Sequence, residues 1–203
     1  DMCVALLACG ADRDESTGSP RTTLLRGACA VGYEDIALLL INHGCDIHRV
    51  DEDGFFPLCV ACFGGHAGVA ALLLDKGATL DQTANNGATP LYVACQNGHL
   101  KIAALLVDKG ATIDQARETG ATPLLIACQQ GHLNVAALLV DKGAKIDQTM
   151  DDGTTPLMAA CQYGCLEVAG VLLDKGANIE QANNQGATPF GAACCHGHVK
   201  VAA

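Results

Sequence analysis

Five glycines, Gly54, Gly87, Gly120, Gly153 and Gly186, recur at a constant spacing of 33 residues. Self-similarity at a fixed period in this range marks a chain built from stacked copies of one small unit. Two further markers keep the same period. Thr-Pro pairs stand at Thr89-Pro90, Thr122-Pro123, Thr155-Pro156 and Thr188-Pro189, and Ala-Cys pairs end in Cys29, Cys62, Cys95, Cys128, Cys161 and Cys194. Nothing in bulk composition requires such agreement.

One unit, residues 87–119, can be read physically. Thr89 is a good N-cap and Pro90 suits the first helical position, where its missing N–H costs nothing, so a short helix is predicted over 90–96. Gly98 ends it. A second helix is predicted over 99–109, with Leu100, Ala103, Ala104 and Val107 in helical period, Lys109 favourable in the last turn, and Gly110 as the stop. Residues 111–119 are polar and run into Gly120, which reads as a long turn or hairpin to the next unit. Helices this short are marginal alone, so the units must stack to hide their apolar faces. Ala94 and Cys95 permit close approach of neighbouring helices, while Leu91, Leu105 and Leu106 fill the space between them.

The motifs Gly87-Ala-Thr-Pro-Leu-Tyr-Val-Ala-Cys, Asn97-Gly-His-Leu and Leu105-Leu106-Val-Asp-Lys-Gly-Ala together resemble an ankyrin repeat, and the resemblance covers essentially the whole chain. It implies an all-α repeat solenoid of stacked helix-turn-helix units with protruding β-hairpin-like loops. The expected division is a partial repeat with an irregular loop over 1–20, repeats over 21–53, 54–86, 87–119, 120–152 and 153–185, and a partial repeat over 186–203. Several positions depart from the family pattern. Tyr92, Leu125 and Met158 replace the usual His, Cys replaces the second Ala of the Ala-Ala pair, Leu24 replaces Pro, and Phe56 replaces the capping Thr. Asp12 to Arg21 holds one residue more than the period allows, with Ser16, Thr17, Gly18, Ser19 and Pro20 suggesting a looser loop. Neither end carries a polar capping unit, so a segment of a longer array is expected.

Composition narrows the function classes. The 203 residues are half apolar, with aromatics at 3% and no Trp, so the core must be aliphatic. Twelve Lys and Arg against 22 Asp and Glu leave a charge of −10, scattered without a basic patch, which disfavours nucleic acid and anionic lipid. The longest apolar stretches, near Val69 to Leu74 and Ile102 to Val107, fall short of the ~18 residues needed to insert in a membrane. Twelve cysteines in so large a chain, which starts at Asp1 with no charged-then-apolar leader, favour a reduced intracellular setting, the cytoplasm, over a disulfide framework.

Catalytic and metal readings find little footing, and no cofactor is expected. Cys59-x-x-Cys62, Cys161-x-x-x-Cys165 and Cys194-Cys195-His196-Gly197-His198 invite zinc or redox chemistry. The six periodic cysteines, however, fall one per unit on helices stacked about 8–10 Å apart, too far for ligands that each sit ~2.3 Å from one zinc ion. They read as small packing residues. Cys59 and Cys62 lack the βαβ context of a thioredoxin-like site, and Cys165 and His198 are period-equivalent rather than clustered. His66, His99, His132 and His198 each follow a Gly at the start of a second helix, a structural capping position. No Ser/His/Asp or Cys/His arrangement stands apart from the repeat. Gly64-Gly65-His66-Ala67-Gly68 lacks the spacing of a phosphate loop, and Asp51-Glu52-Asp53-Gly54 has Val60 where a calcium loop would close with Glu.

What remains is a surface. Positions free to vary between units are Glu52 and Asp53, Asn85 and Asn86, Glu118 and Thr119, Asp151 and Asp152, and Asn184 and Gln185 on the loop tips. At the first-helix ends they are Phe63, Gln96 and Asn97, Gln129 and Gln130, and Gln162 and Tyr163. The resemblance implies that a protein or peptide partner binds along the concave face made from these two strips, with a small molecule not expected. Phe55, Phe63 and Tyr163 stand out because aromatics dominate interface energetics. Acidic tips favour a partner with a basic patch. Two other functions are open: a structural spacer, since units three to five are nearly identical, and a metal- or redox-responsive protein using the C-terminal Cys/His residues.

Overall fold

The computed structural model describes residues 24–52 and 54–202, so the partial repeat and loop expected over 1–20, and Asp53, lie outside the described residues. Helices occur in pairs: α1 (Leu24–Val31) with α2 (Glu34–Asn42), α3 (Pro57–Gly64) with α4 (Ala67–Asp75), α5 (Pro90–Gln96) with α6 (Leu100–Asp108), and α7 (Pro123–Gln129) with α8 (Leu133–Asp141). The pairs α9 (Pro156–Gln162) with α10 (Leu166–Asp174) and α11 (Pro189–Cys195) with α12 (Val199–Ala202) complete the order. First helices stack on first helices and second helices on second helices, giving the expected all-α solenoid. No strand occurs among the described residues. The expected hairpin is a tight turn instead, in which the Ala84 N–H donates to Ala88 O and the Gly87 N–H to Ala84 O, a pattern repeated at Arg117, Met150 and Asn183.

The start signals act as their chemistry demands. Thr89, Thr122, Thr155 and Thr188 each accept from the backbone N–H three residues on, at 3.0–3.2 Å, and each is followed by Pro at the first helical position. Phe56, which takes the Thr position before α3, makes no side-chain cap bond. The second helix of the unit at 87–119 is one residue shorter at each end than predicted. His99 is its N-cap, with ψ 75° outside the helical region, and Lys109 its C-cap. Lys109 there reaches back to the Asp75 carboxylate at 2.9 Å.

The core runs as a column through the stack. Leu58, Leu91, Leu124 and Leu157 from the first helices and Leu73, Leu106, Leu139 and Leu172 from the second are essentially without solvent exposure, with Ala94 and Cys95 between them. Leu105, expected beside Leu106, is only half-buried at the margin. Gly98 shows why the period holds its glycines. It adopts φ +72°, and a Cβ there would lie 2.6 Å from Nδ1 of His132 in the next pair, so both the left-handed backbone and the close approach require Gly. No helix among the described residues is long and apolar enough to cross a membrane.

Candidate functional site

Because equivalent helices stack, period-equivalent residues form rows along the array. The row at the C-terminal ends of the first helices carries Phe63 and Tyr163, 63% and 53% exposed, with Gln96 and Gln130 exposed and Gln129 and Gln162 half-buried between them. Asn97 belongs to the helix rather than to a free surface, since its Nδ2 donates to Val93 O at 2.8 Å. Phe55 also departs from its expected place on the surface: its ring is half-buried and packs against the core.

The second row is made by the turns. Glu52, Asn85, Asn86, Glu118, Thr119, Asp151, Asp152, Asn184 and Gln185 are all exposed. Two of them also hold the row together, and two brace their own turns. Asn85 Nδ2 donates to Glu52 O and Asn184 Nδ2 to Asp151 O, each at 2.9 Å, while Asn86 and Asp152 carboxyl or amide oxygens accept from the N–H two residues on. Backbone bonds run between tips as well, from the Asp151 N–H to Thr119 O and from the Asn184 N–H to Asp152 O. The turns are therefore linked to one another rather than splayed.

Lys76, Lys109, Lys142 and Lys175 sit at the far ends of the second helices, where the last three pair with Asp75, Asp108 and Asp141 at 2.7–2.9 Å and Lys76 with Asn42. Such exposed pairs contribute only a few tenths of a kcal/mol each, roughly, so their value is in register more than stability. Near the tips, Arg26 is bound to Asp51 at 2.9 Å, and Arg117 lies 5.2 Å over the Tyr92 ring with a 3.3 Å bond to its hydroxyl. Among the described tip residues Glu52, Glu118, Asp151 and Asp152 are the exposed charges, and the turn row is acidic.

Those two arginine contacts were not foreseen. Arg26 and Tyr92 occupy one periodic position, and Asp51 and Arg117 another 25 residues on, so both contacts join the same pair of positions. The signal was present in the sequence, as complementary changes at two positions of the repeat.

The histidines do cap helices, though not their own. His66, His99 and His132 make no side-chain bond to the helix they precede, and His198 follows the same outward pattern. Each donates through Nε2 to a carbonyl in the last turn of the preceding pair's first helix, to Ala30, Phe63, Gln96 and Gln162 respectively, all at 3.0 Å. Orphan helix carbonyls are thereby satisfied from the next unit.

Of the six periodic cysteines, Cys29, Cys62, Cys95, Cys128 and Cys161 are buried, as the packing reading requires, but Cys194 is exposed because no further first helix among the described residues covers α11. The packing reading is corrected there. Burial pushes the Cys29 and Cys59 thiols up to about 12, and raises those of Cys62, Cys95 and Cys128 as well. Among the described residues no group of three or more His, Cys, Asp or Glu is arranged to hold a metal ion. At the C-terminal end the His196 and His198 rings stack at 6.5 Å, and each already uses one nitrogen on a backbone carbonyl.

Thiol reactivity should follow this burial, since only the thiolate attacks and access is needed. At pH 7.5 a maleimide is expected to label Cys194 and Cys195 first and Cys165 more slowly, leaving Cys29, Cys59, Cys62, Cys95 and Cys128 untouched until denaturant is added. Mass spectrometry of timed digests reads this directly, and early labelling of Cys95 in native buffer would contradict the buried column.

A family model described as ankyrin repeats, three copies, matches residues 1–84, 78–150 and 145–203. No curated protein matches the chain.

Proposed function

The chain belongs to the ankyrin-repeat family, whose members are in general protein–protein interaction modules, and on that premise we propose that it is a non-enzymatic recognition module binding a protein or peptide along the two rows just described. One repeat corresponds to each helix pair, divided at residues 21, 54, 87, 120, 153 and 186. The observation that carries the reading is the pair of large, exposed aromatics, Phe63 and Tyr163, flanking the amides Gln96, Gln129, Gln130 and Gln162 on one row. Exposed aromatics in a rigid setting bind with little ordering cost. The acidic turns, whose neighbouring arginines are already engaged, favour a partner with a basic patch. That preference acts mainly through association rate and salt dependence. Cysteines packed as small buried residues at Cys29, Cys62, Cys95, Cys128 and Cys161 suit a reduced compartment, which we take to be the cytoplasm.

The Phe63→Ala, Tyr163→Ala double substitution is the test. Each change is expected to weaken the partner by at least ~1 kcal/mol, roughly thirtyfold or more together if the sites are independent. Thermal stability is expected to hold, because neither ring is buried. Capture from native lysate at low and physiological salt, followed by identification and titration of the captured protein, measures the effect. Unchanged affinity in the double variant would rule out this row as the binding surface.

A structural spacer is the second reading, favoured by the identical His and Lys–Asp rungs repeated at successive junctions. It predicts no titratable partner and stepwise, reversible unfolding under force.

A further inference from the structure

We infer that the helix pair α9–α10 is a built-in soft segment, at which the array opens before its centre does. Three departures from the repeat coincide there. The first is at the junction with α7–α8. Where His66, His99, His132 and His198 each bond a carbonyl of the preceding pair at 3.0 Å, the equivalent residue is Cys165, whose Sγ lies 3.9 Å from Gln129 O. A thiol is a weak donor, so the Gln129 carbonyl is poorly satisfied. The imidazole that packs over the left-handed glycine at the other junctions is also missing: at Gly131 the nearest atom to a Cβ is a single sulfur at 3.1 Å.

The second departure lies inside α9. Ala159 stands where Val60, Val93 and Ile126 fill the equivalent position in α3, α5 and α7. Fewer carbons are buried there. The third is Gly170, in the interior of α10, where α4, α6 and α8 have Ala71, Ala104 and Ala137. Its surroundings do not demand glycine, since a Cβ would meet nothing within 4 Å. It therefore weakens the helix through backbone entropy with no packing gain.

In a linear array, opening concentrates where the local and interface terms are smallest. The surface rungs across this junction persist, with Lys175 on Asp141 and the Asn178 N–H on Asp147, so the segment loosens without detaching. Tyr163 caps α9 and rides on the soft segment, whereas Phe63 belongs to α3. On the proposed recognition reading, a partner gripping both aromatics would stiffen α9–α10.

Amide hydrogen exchange on the full chain without partner tests the softness itself, independently of any binding. In the parent chain the amides of α9 and α10 are expected to exchange about tenfold faster than those of α7 and α8. Cys165→His restores the rung used at the other junctions, and Gly170→Ala the helix former. The two together are expected to slow α9 and α10 by about tenfold while leaving α5 and α6 unchanged. Equal rates in α7–α8 and α9–α10 of the parent would overturn the inference. So would fast exchange confined to α11–α12 and indifferent to both substitutions, which is fraying of the end. If the softness is found and a bound partner still fails to slow α9–α10, the grip on both aromatics fails and the soft segment stands.

Discussion

In reducing buffer, raising the pH from 8 to about 10.5 is expected to unfold the array cooperatively. An unfolded thiol ionises near pH 8.5. The native chain holds Cys29 and Cys59 at about 12 and pushes Cys62, Cys95 and Cys128 up as well, because burial removes the water that would stabilise a thiolate. Above pH 8.5 the native state therefore binds more protons than the unfolded state, and stability falls as pH rises. It is fully present below the unfolded value and is lost progressively toward the native one. Each thiol contributes about 1.4 kcal/mol per pH unit in that window. Cys29 and Cys59 alone amount to about 5 kcal/mol over two units, and the other buried thiols act in the same direction, which is enough to rival the stability of an ordinary domain. Circular dichroism against pH shows the transition, and its steepness counts the protons released. Replacing Cys95 and Cys128 by Ala should move it to higher pH and make it shallower. Native helicity persisting at about pH 11.5 would mean that the thiol column is hydrated.

Leu124→Ala is expected to cost about 2–5 kcal/mol, the range for truncating a leucine with no exposure. Leu124 sits in α7, which stacks on α5 on one side and α9 on the other, so the cavity weakens two interfaces at once. In an array held together by nearest neighbours, this should do more than lower the midpoint. It is expected to uncouple the two halves and broaden or split the urea transition, with a lowered apparent m-value. Leu166→Ala is the control, because that side chain is 47% exposed and its loss should change stability by less than about 1 kcal/mol. A single sharp transition for Leu124→Ala with an unchanged midpoint would contradict the packed column.

Much of this architecture was legible in the residues. Thr-Pro marks a helix start through one hydrogen bond and one fixed dihedral, and both are local, so α5, α7 and α9 begin where Thr89, Thr122 and Thr155 place them. Gly98 stops a helix for a local reason too. The candidate surface was less legible. Exposure of Phe63 and Tyr163 followed from their helix-end positions, but Phe55, two residues before a helix, turned inward against the core because the turn above it is closed by the Phe55 N–H to Asp51 bond. Asn85 and Asn184 looked free to vary and in fact lock adjacent turns. Nothing within one unit announces a bond whose partner lies 33 residues away.

The sequence by itself determined the unit: its length, its two helices, their caps and the small residues that allow stacking, since each depends on neighbours a few positions apart and is copied at a fixed period. Only the tertiary structure decided what the repeated residues do between units. The histidines cap the helix before their own, Arg117 closes over Tyr92, Cys194 is uncovered while its five counterparts are sealed, and Cys165 leaves a carbonyl nearly unserved. The physical reason is that hydrogen bonding, desolvation and close approach across a junction depend on how one unit is set upon the next, a geometry that emerges when the whole column packs.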